Sequence, residues 1–172
     1  MQEIDRQHRV GTGYVMYRAG RTDRQLAIGL GQRAEVYDAE LAGLNMALRA
    51  ATEHAQAHEE VRRIILFSDN TAAVDTIHDP LPRAGQLFAE SFAHLAFHFL
   101  DADEHRSIQI AWCPEHKDVA GNEETGRLAK VRTTLEPEGQ ECQSRANALH
   151  VSKAQLLAEW TDQWRCSTCA GR

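Results

Sequence analysis

The chain is 172 residues long and 42% hydrophobic, enough for one domain with a proper core and too short for two of ordinary size. Its 19 Lys and Arg against 25 Asp and Glu give a net charge of -6, which excludes the whole-surface basic footprint of a DNA-coating protein and leaves only local nucleic-acid contacts. No apolar run reaches the ~18 to 20 residues of a membrane span and "MQEIDRQHRV" is too polar for a secretory signal, so we expect an intracellular, non-secreted protein of cytoplasm or nucleus, without a membrane partner, in which Cys113, Cys142, Cys166 and Cys169 are reduced thiols.

The segments "GTGYVMYRAG" and "RQLAIGLG" alternate around aromatic and β-branched residues and are separated by a polar turn with Gly20, which predicts two antiparallel strands. From Asp38, able to cap, Leu41, Leu44, Ala47 and Leu48 have helical spacing that runs to about His58 and puts Glu40 in the first turn. "VRRIILFSD" is apolar on both faces, as in a central strand covered on each side, and ends at Asp69, where a carboxylate at a strand's carboxyl end suits a site. "NTAAVDTIHD" predicts a short helix stopped before Pro80 and Pro82, "AGQLFAESFAHLAFHFL" a longer amphipathic one, and "SIQIAWCP" a strand with Ile108, Ile110 and Trp112 on one face. A loop with His116 and a helix follow. The order is that of an α/β domain layered around a mixed sheet. "TTLEPEGQECQS" reads as a linker, and beyond it Leu156, Leu157, Trp160 and Trp164 form a helical stripe expected to pack on its own domain, with a partner-binding helix as the alternative. The predicted organisation is a domain over 1–132, a linker over 133–150 and a helical tail over 151–172.

Singly, Glu40, Asp69 and His116 are weak signals, since most such residues are solvated caps or structural. In combination, "YDAELAGLNMAL", "LFSDNTAAV" and "WCPEHKDVAGNEETGRLAK", in this order and at these intervals, resemble the type 1 ribonuclease H family, in particular the version carried by fungal non-long-terminal-repeat retrotransposons. The resemblance covers about residues 10 to 130, and the third motif is its most specific part. It implies a ribonuclease H-like fold and a domain that cuts the RNA strand of an RNA/DNA hybrid with two Mg ions held by four carboxylates, with no small-molecule cofactor. By the same resemblance Glu40 and Asp69 are metal-binding and catalytic, His116 is the catalytic loop histidine, and Asn70, Thr71 and Asn122 contact the substrate. Mg prefers hard oxygen ligands in octahedral geometry, and displacement at phosphorus needs charge neutralised on the attacking and leaving oxygens together.

Two positions depart from the family pattern. In G-N-E-x-A-D-x-L-A-K the Asp falls ten residues after the loop His, and here that position is Gly126 within "GNEETGRLAK". Glu124 lies about 200° away around a helix, and Glu123 matches a Glu that is not a principal ligand. The family's first strand, ending in T-D-G-S, has no counterpart in "MQEIDRQHR", where Asp5 has neither an apolar run before it nor a Gly-Ser after it. A sheet without that strand is expected to expose an unpaired edge. Three readings follow: a hybrid-specific ribonuclease of reduced activity, an inactive copy that retains nucleic-acid binding, and a degenerate retrotransposon fragment. "CSTC" at 166–169 has the spacing of half a zinc site, but its intervals to Cys142 and His150 fit no zinc module. Arg62/Arg63 and Arg127/Lys130/Arg132 can touch phosphates or form solvated faces.

Overall fold

The computed structural model describes residues 3–4, 9–79, 85–114, 120–133 and 145–166. Strand β1 (Glu3–Ile4) is followed by a hairpin of β2 (Val10–Arg18) and β3 (Arg21–Gly31), then helix α1 (Val36–Ala57), strand β4 (Arg63–Ser68), helices α2 (Thr71–His78) and α3 (Gln86–Asp101), strand β5 (Ser107–Trp112), and helices α4 (Ala120–Thr133) and α5 (Arg145–Cys166). The predicted α/β order is present. His116, Asp5 and the "CSTC" pair's Cys169 fall outside the described residues, as does Cys142.

The strands form two sheets rather than one, a three-stranded β1-β2-β3 and a two-stranded β4-β5. β2 and β3 are antiparallel, and Arg18 pairs with Arg21 across the turn. The two turn residues, Ala19 at φ 48 and Gly20 at φ 76, both have the positive φ that matches a two-residue loop to the right-handed twist of the strands. β1 is invisible in the sequence pattern; its two residues sit opposite Gly11 and Val10 on the edge of β2 away from β3. β4 and β5 are parallel, from Arg63 against Ser107 to Ser68 against Trp112.

α1 packs against β2 in one sheet, β4 in the other, and α3. Leu41 and Leu48, seven residues apart and both fully buried, join Ile64, Leu66 and Phe92 in one apolar cluster, while Ala39 and Ala42 join Val10 and Leu30 in a second. The helix comes close to β2 because position 43 is glycine: a Cβ there would lie 2.7 Å from the Thr12 hydroxyl. Thr12 in turn donates to the Ala39 carbonyl at 2.7 Å. α4 packs on β2 and β3.

Three expectations change. α1 begins at Val36, so Glu40 lies in its second turn; Asp38 does not precede the helix but accepts a 3.0 Å bond from the Glu35 N–H through Oδ2, reaching back to the residue that does. β4 is covered on one face only: Ile64 and Leu66 are buried, whereas Ile65 is 42% and Phe67 64% exposed. Every side chain of α5 from Val151 to Arg165 is exposed, so the Trp160/Trp164 face is not buried on the domain. α5 also takes in the last six residues of the stretch read as a linker, and α4 runs to Thr133.

An alanine in the left-handed region costs about 1–2 kcal/mol that glycine or asparagine largely avoids, and Asn-Gly suits this hairpin turn best. Ala19→Asn is therefore expected to stabilise the protein by about 0.5–1 kcal/mol, read as a higher denaturant midpoint at unchanged slope. A lower midpoint would count against this turn geometry.

Candidate active site between the two sheets

β4 ends at Ser68, and the turn behind it is pinned from several directions. The Cys113 N–H donates to the Ser68 carbonyl at 2.9 Å, the Asn70 N–H to the Ser68 hydroxyl at 3.2 Å, and the Trp112 indole N–H to the Asp69 carbonyl at 3.0 Å. Asn70 caps α2, its Oδ1 accepting from the Ala73 N–H at 3.0 Å. Trp112 is thus held at the strand end rather than buried with Ile108 and Ile110, and is 54% exposed. This fixes where Asp69 stands.

Glu40 approaches from the other side. It is 7% exposed on α1, one residue past the carbonyl that binds Thr12. Glu40 and Asp69 both line a single cavity of about 860 Å³ whose walls are β2, α1 and β4, with Gly121 and Thr125 of α4 and Cys113 also bordering it. The start of β2 lies by Ala39 and its far end, Arg18, pairs with Glu60 just before β4. Both carboxylates therefore lie toward one end of the cavity, at the carboxyl end of β4, with His54 and Glu60 toward the other.

Burial pushes the Cys113 thiol above its ordinary range, and the negative charge of Asp69 adds to that. This places Asp69 close enough to Cys113 for its charge to be felt in a partly desolvated setting. Among the described residues no group of three or more His, Cys, Asp or Glu is arranged to hold a metal. Glu40 and Asp69 share the carboxyl end of β4 with no third carboxylate from α4 among the described residues.

The remaining predicted positions divide. Thr71 is exposed at the start of α2. Asn122 lies in α4. Gly126 is buried in α4, and neither Glu123 nor Glu124 borders the cavity. Glu124 is held by Arg127 at 2.6 Å, and this bond holds its pKa below the usual carboxylate range. In Gly126→Asp the few tenths of a kcal/mol gained from better helix propensity are outweighed by the cost of a desolvated carboxylate, unless a cation meets it. Arg62 pairs with Asp103 at 3.2 Å and Arg63 donates to Gln109 at 2.8 Å, both on exposed surface. What sequence reasoning missed is Cys113 at the rim and Thr125 on the cavity wall; the only signal was their placement beside Asp69's strand and one residue before Gly126.

If Asp69 raises the Cys113 thiol through its charge, Asp69→Asn lowers the pH at which that thiol is alkylated. In a background where Cys142, Cys166 and Cys169 are serine, the midpoint of the labelling-rate profile is expected above the ordinary thiol value and moves down in Asp69→Asn. An unmoved midpoint would separate the two groups.

No protein-family model and no curated protein matches the chain. Solved structures do. A foamy viral protease-reverse transcriptase in complex with an RNA/DNA hybrid superposes with a TM-score of 0.59 at 15% identity, over 78% of this chain and 19% of that one. The native prototype foamy virus protease-reverse transcriptase gives 0.53 at 16% identity, over 79% and 20%. A chain of the foamy viral enzyme in complex with double-stranded DNA gives 0.50 at 16% identity, over 78% and 90%. The chain spans about a fifth of the first two neighbours. At this identity the likeness establishes the fold, which is α/β of the ribonuclease H-like kind. No helix among the described residues is long and apolar enough to cross a membrane.

Proposed function

We propose that the chain is a ribonuclease H-like domain, derived from a retrotransposon, that engages RNA/DNA hybrids and whose hydrolytic capacity is impaired. The observation that carries this reading is the placement of Glu40 and Asp69 on one cavity at the carboxyl end of β4, with buried Gly126 and no further carboxylate of α4 bordering it. Two carboxylates suit one hydrated Mg ion, which commonly keeps several waters; they fall short of the four that a two-ion site uses. When bound, Mg would supply charge neutralisation at the phosphorus under attack.

Around that pair the chain's own groups take definite parts. Glu40 and Asp69 hold negative charge where the cation binds. The Asn70 oxygen is engaged in capping α2, which leaves its amide N–H groups for a sugar or phosphate oxygen. Thr71 stands at the exposed start of α2, where backbone N–H groups favour phosphate. By the family resemblance Asn122 would contact the substrate and His116 would help move the proton or release product. Recognition of a hybrid over duplex DNA rests on 2′-hydroxyls and groove shape rather than base edges. A second reading, an inactive hybrid-binding or degenerate copy, is favoured by Gly126 and the split sheet together.

Titration calorimetry is expected to give one weak Mg site, with a dissociation constant of about 1 mM or higher, because two carboxylates and water form an incomplete shell. Tight binding of two ions would overturn it.

At matched salt, fluorescence anisotropy should show tighter binding of an RNA/DNA hybrid than of duplex DNA of the same sequence; equal affinities would reject hybrid recognition. Gly126→Asp alone should leave Mg-dependent cleavage undetectable, whereas Gly126→Asp in a chain extended by an N-terminal strand ending in T-D-G-S should restore it, since metal ligands act as a unit. Strong cleavage by the unmodified chain, abolished by Glu40→Gln, would show instead a working enzyme that tolerates glycine at 126. Hybrid binding with no cleavage even in the extended Gly126→Asp chain would favour the inactive copy.

A further inference from the structure

Two pairs of histidines stand one helical turn apart in this chain, and the structure arranges them in opposite ways. Residues four apart on a helix are neighbours on its surface, so spacing alone would let either pair grip a common ligand. On α1, His54 and His58 stack face to face, with ring centroids 4.1 Å apart and planes 12° from parallel. Three of their four ring nitrogens are already committed inside the protein: His54 Nδ1 lies 3.3 Å from an Asp23 carboxylate oxygen, His54 Nε2 3.4 Å from an Arg18 guanidinium nitrogen, and His58 Nδ1 3.0 Å from the His54 carbonyl. The Arg18 charge also repels a cation there.

On α3 the arrangement is reversed. His94 and His98 are both exposed, and their rings meet edge to face, with centroids 4.4 Å apart and planes 75° apart. This brings the two Nε2 atoms together at 3.1 Å. A metal about 2.1 Å from each nitrogen sees that separation at about 95°, nearer the right angle of octahedral or tetragonal coordination than the tetrahedral angle of about 109°. Phe97 meets the His98 ring edge to face at 5.8 Å and limits its rotation. His98 also lies in the last turn of α3, where the partial negative charge of the helix end favours a cation. Among the described residues no third His, Cys, Asp or Glu joins the pair, so the other positions of a bound ion go to water.

We propose that His94 and His98 form a two-nitrogen chelate on the surface of α3 for a divalent transition metal, Ni(II) or Cu(II) in preference to Zn(II). Neutral imidazole suits these ions, whereas Mg takes hard oxygen ligands and is not held here. The near-right angle between the nitrogens favours Ni(II) and Cu(II) over tetrahedral Zn(II). Without metal, one Nε2 carries a proton and shares it with the other. On binding, that ring moves its proton to Nδ1, so that both Nε2 lone pairs face the ion and no proton need leave the neutral pair. Two ligands supply about half the binding free energy of a four-ligand structural zinc site, which puts the dissociation constant on the order of 1–200 µM. Neither histidine borders the cavity of Glu40 and Asp69, and the chelate stands whatever that cavity does.

The test is calorimetric titration of nickel sulfate into the full, untagged chain with its thiols kept reduced. One site in the stated range is expected, weakened at least tenfold in His94→Gln and in His98→Gln. Nickel bound at cysteines or elsewhere is common to all the chains compared. The double variant Ala93→His/His94→Ala keeps all nine histidines but sets the pair five residues apart, about 140° around the helix, and should lose the site as fully. Hydrogen exchange over His94–Asp101 should slow on adding nickel in the unmodified chain and in none of the variants, with far-ultraviolet dichroism of the metal-free chains the same. Undiminished nickel binding in either single variant or in the shifted pair would overturn the proposal. So would nickel binding that leaves exchange over His94–Asp101 unchanged, or Zn(II) bound more tightly than Ni(II).

Discussion

Leu41 and Leu48 lie fully buried on α1, the helix that packs against both β2 and β4, and the position of nearly everything else follows from that packing. Each buried leucine side chain contributes about 1.5–3 kcal/mol through surface removed from water. Here the contribution also sets geometry, since no backbone ladder joins the two sheets among the described residues. The same helix carries Glu40 inward, and its close contact with β2 is possible because residue 43 has no side chain. A shift of α1 would move one carboxylate relative to the other and change the width of the cavity at once.

The electrostatics of the site are those of an incomplete set. Glu40 is buried and Asp69 half-buried, and a partly desolvated carboxylate pair favours a cation between or beside it. Of the other acids on α1 and α4, Glu124 is bound to Arg127 and Asp38 accepts through Oδ2 from the start of α1, and neither borders the cavity. Beside Gly126, no carboxylate of α4 among the described residues borders the cavity.

Much of this was legible in the sequence because periodicity reports burial directly. The helix carrying Leu41, Leu44 and Leu48, the strand ending before Asp69, and the Gly20 turn all stand where their patterns put them. Glu40 and Asp69 were legible as candidates, and the fold brings both to one cavity. Other features were hidden for physical reasons. An apolar residue such as Phe67 signals that a face suits burial, not that a cover is present. Glu35 preceding α1 carries little capping signal, whereas Asp38, three residues later and inside the first turn, carries a strong one. β1 is two residues long, shorter than any alternation. The stripe of Trp160 and Trp164 has clear helical spacing, yet that spacing says nothing of what, if anything, lies against it.

The division of the sheet has a consequence for cooperativity. Hydrogen-bonded ladders make neighbouring strands open together, and contiguous units of that kind exchange with solvent as blocks. One block comprises β1, β2, β3 and α4; the other comprises β4, β5, α2 and α3; α1 touches both. Among the described residues the coupling between them passes mainly through side-chain packing on α1, with the Arg18–Glu60 pair beside it, which is softer than a continuous sheet. Such a division favours opening of one block without the other, which a single continuous sheet would oppose.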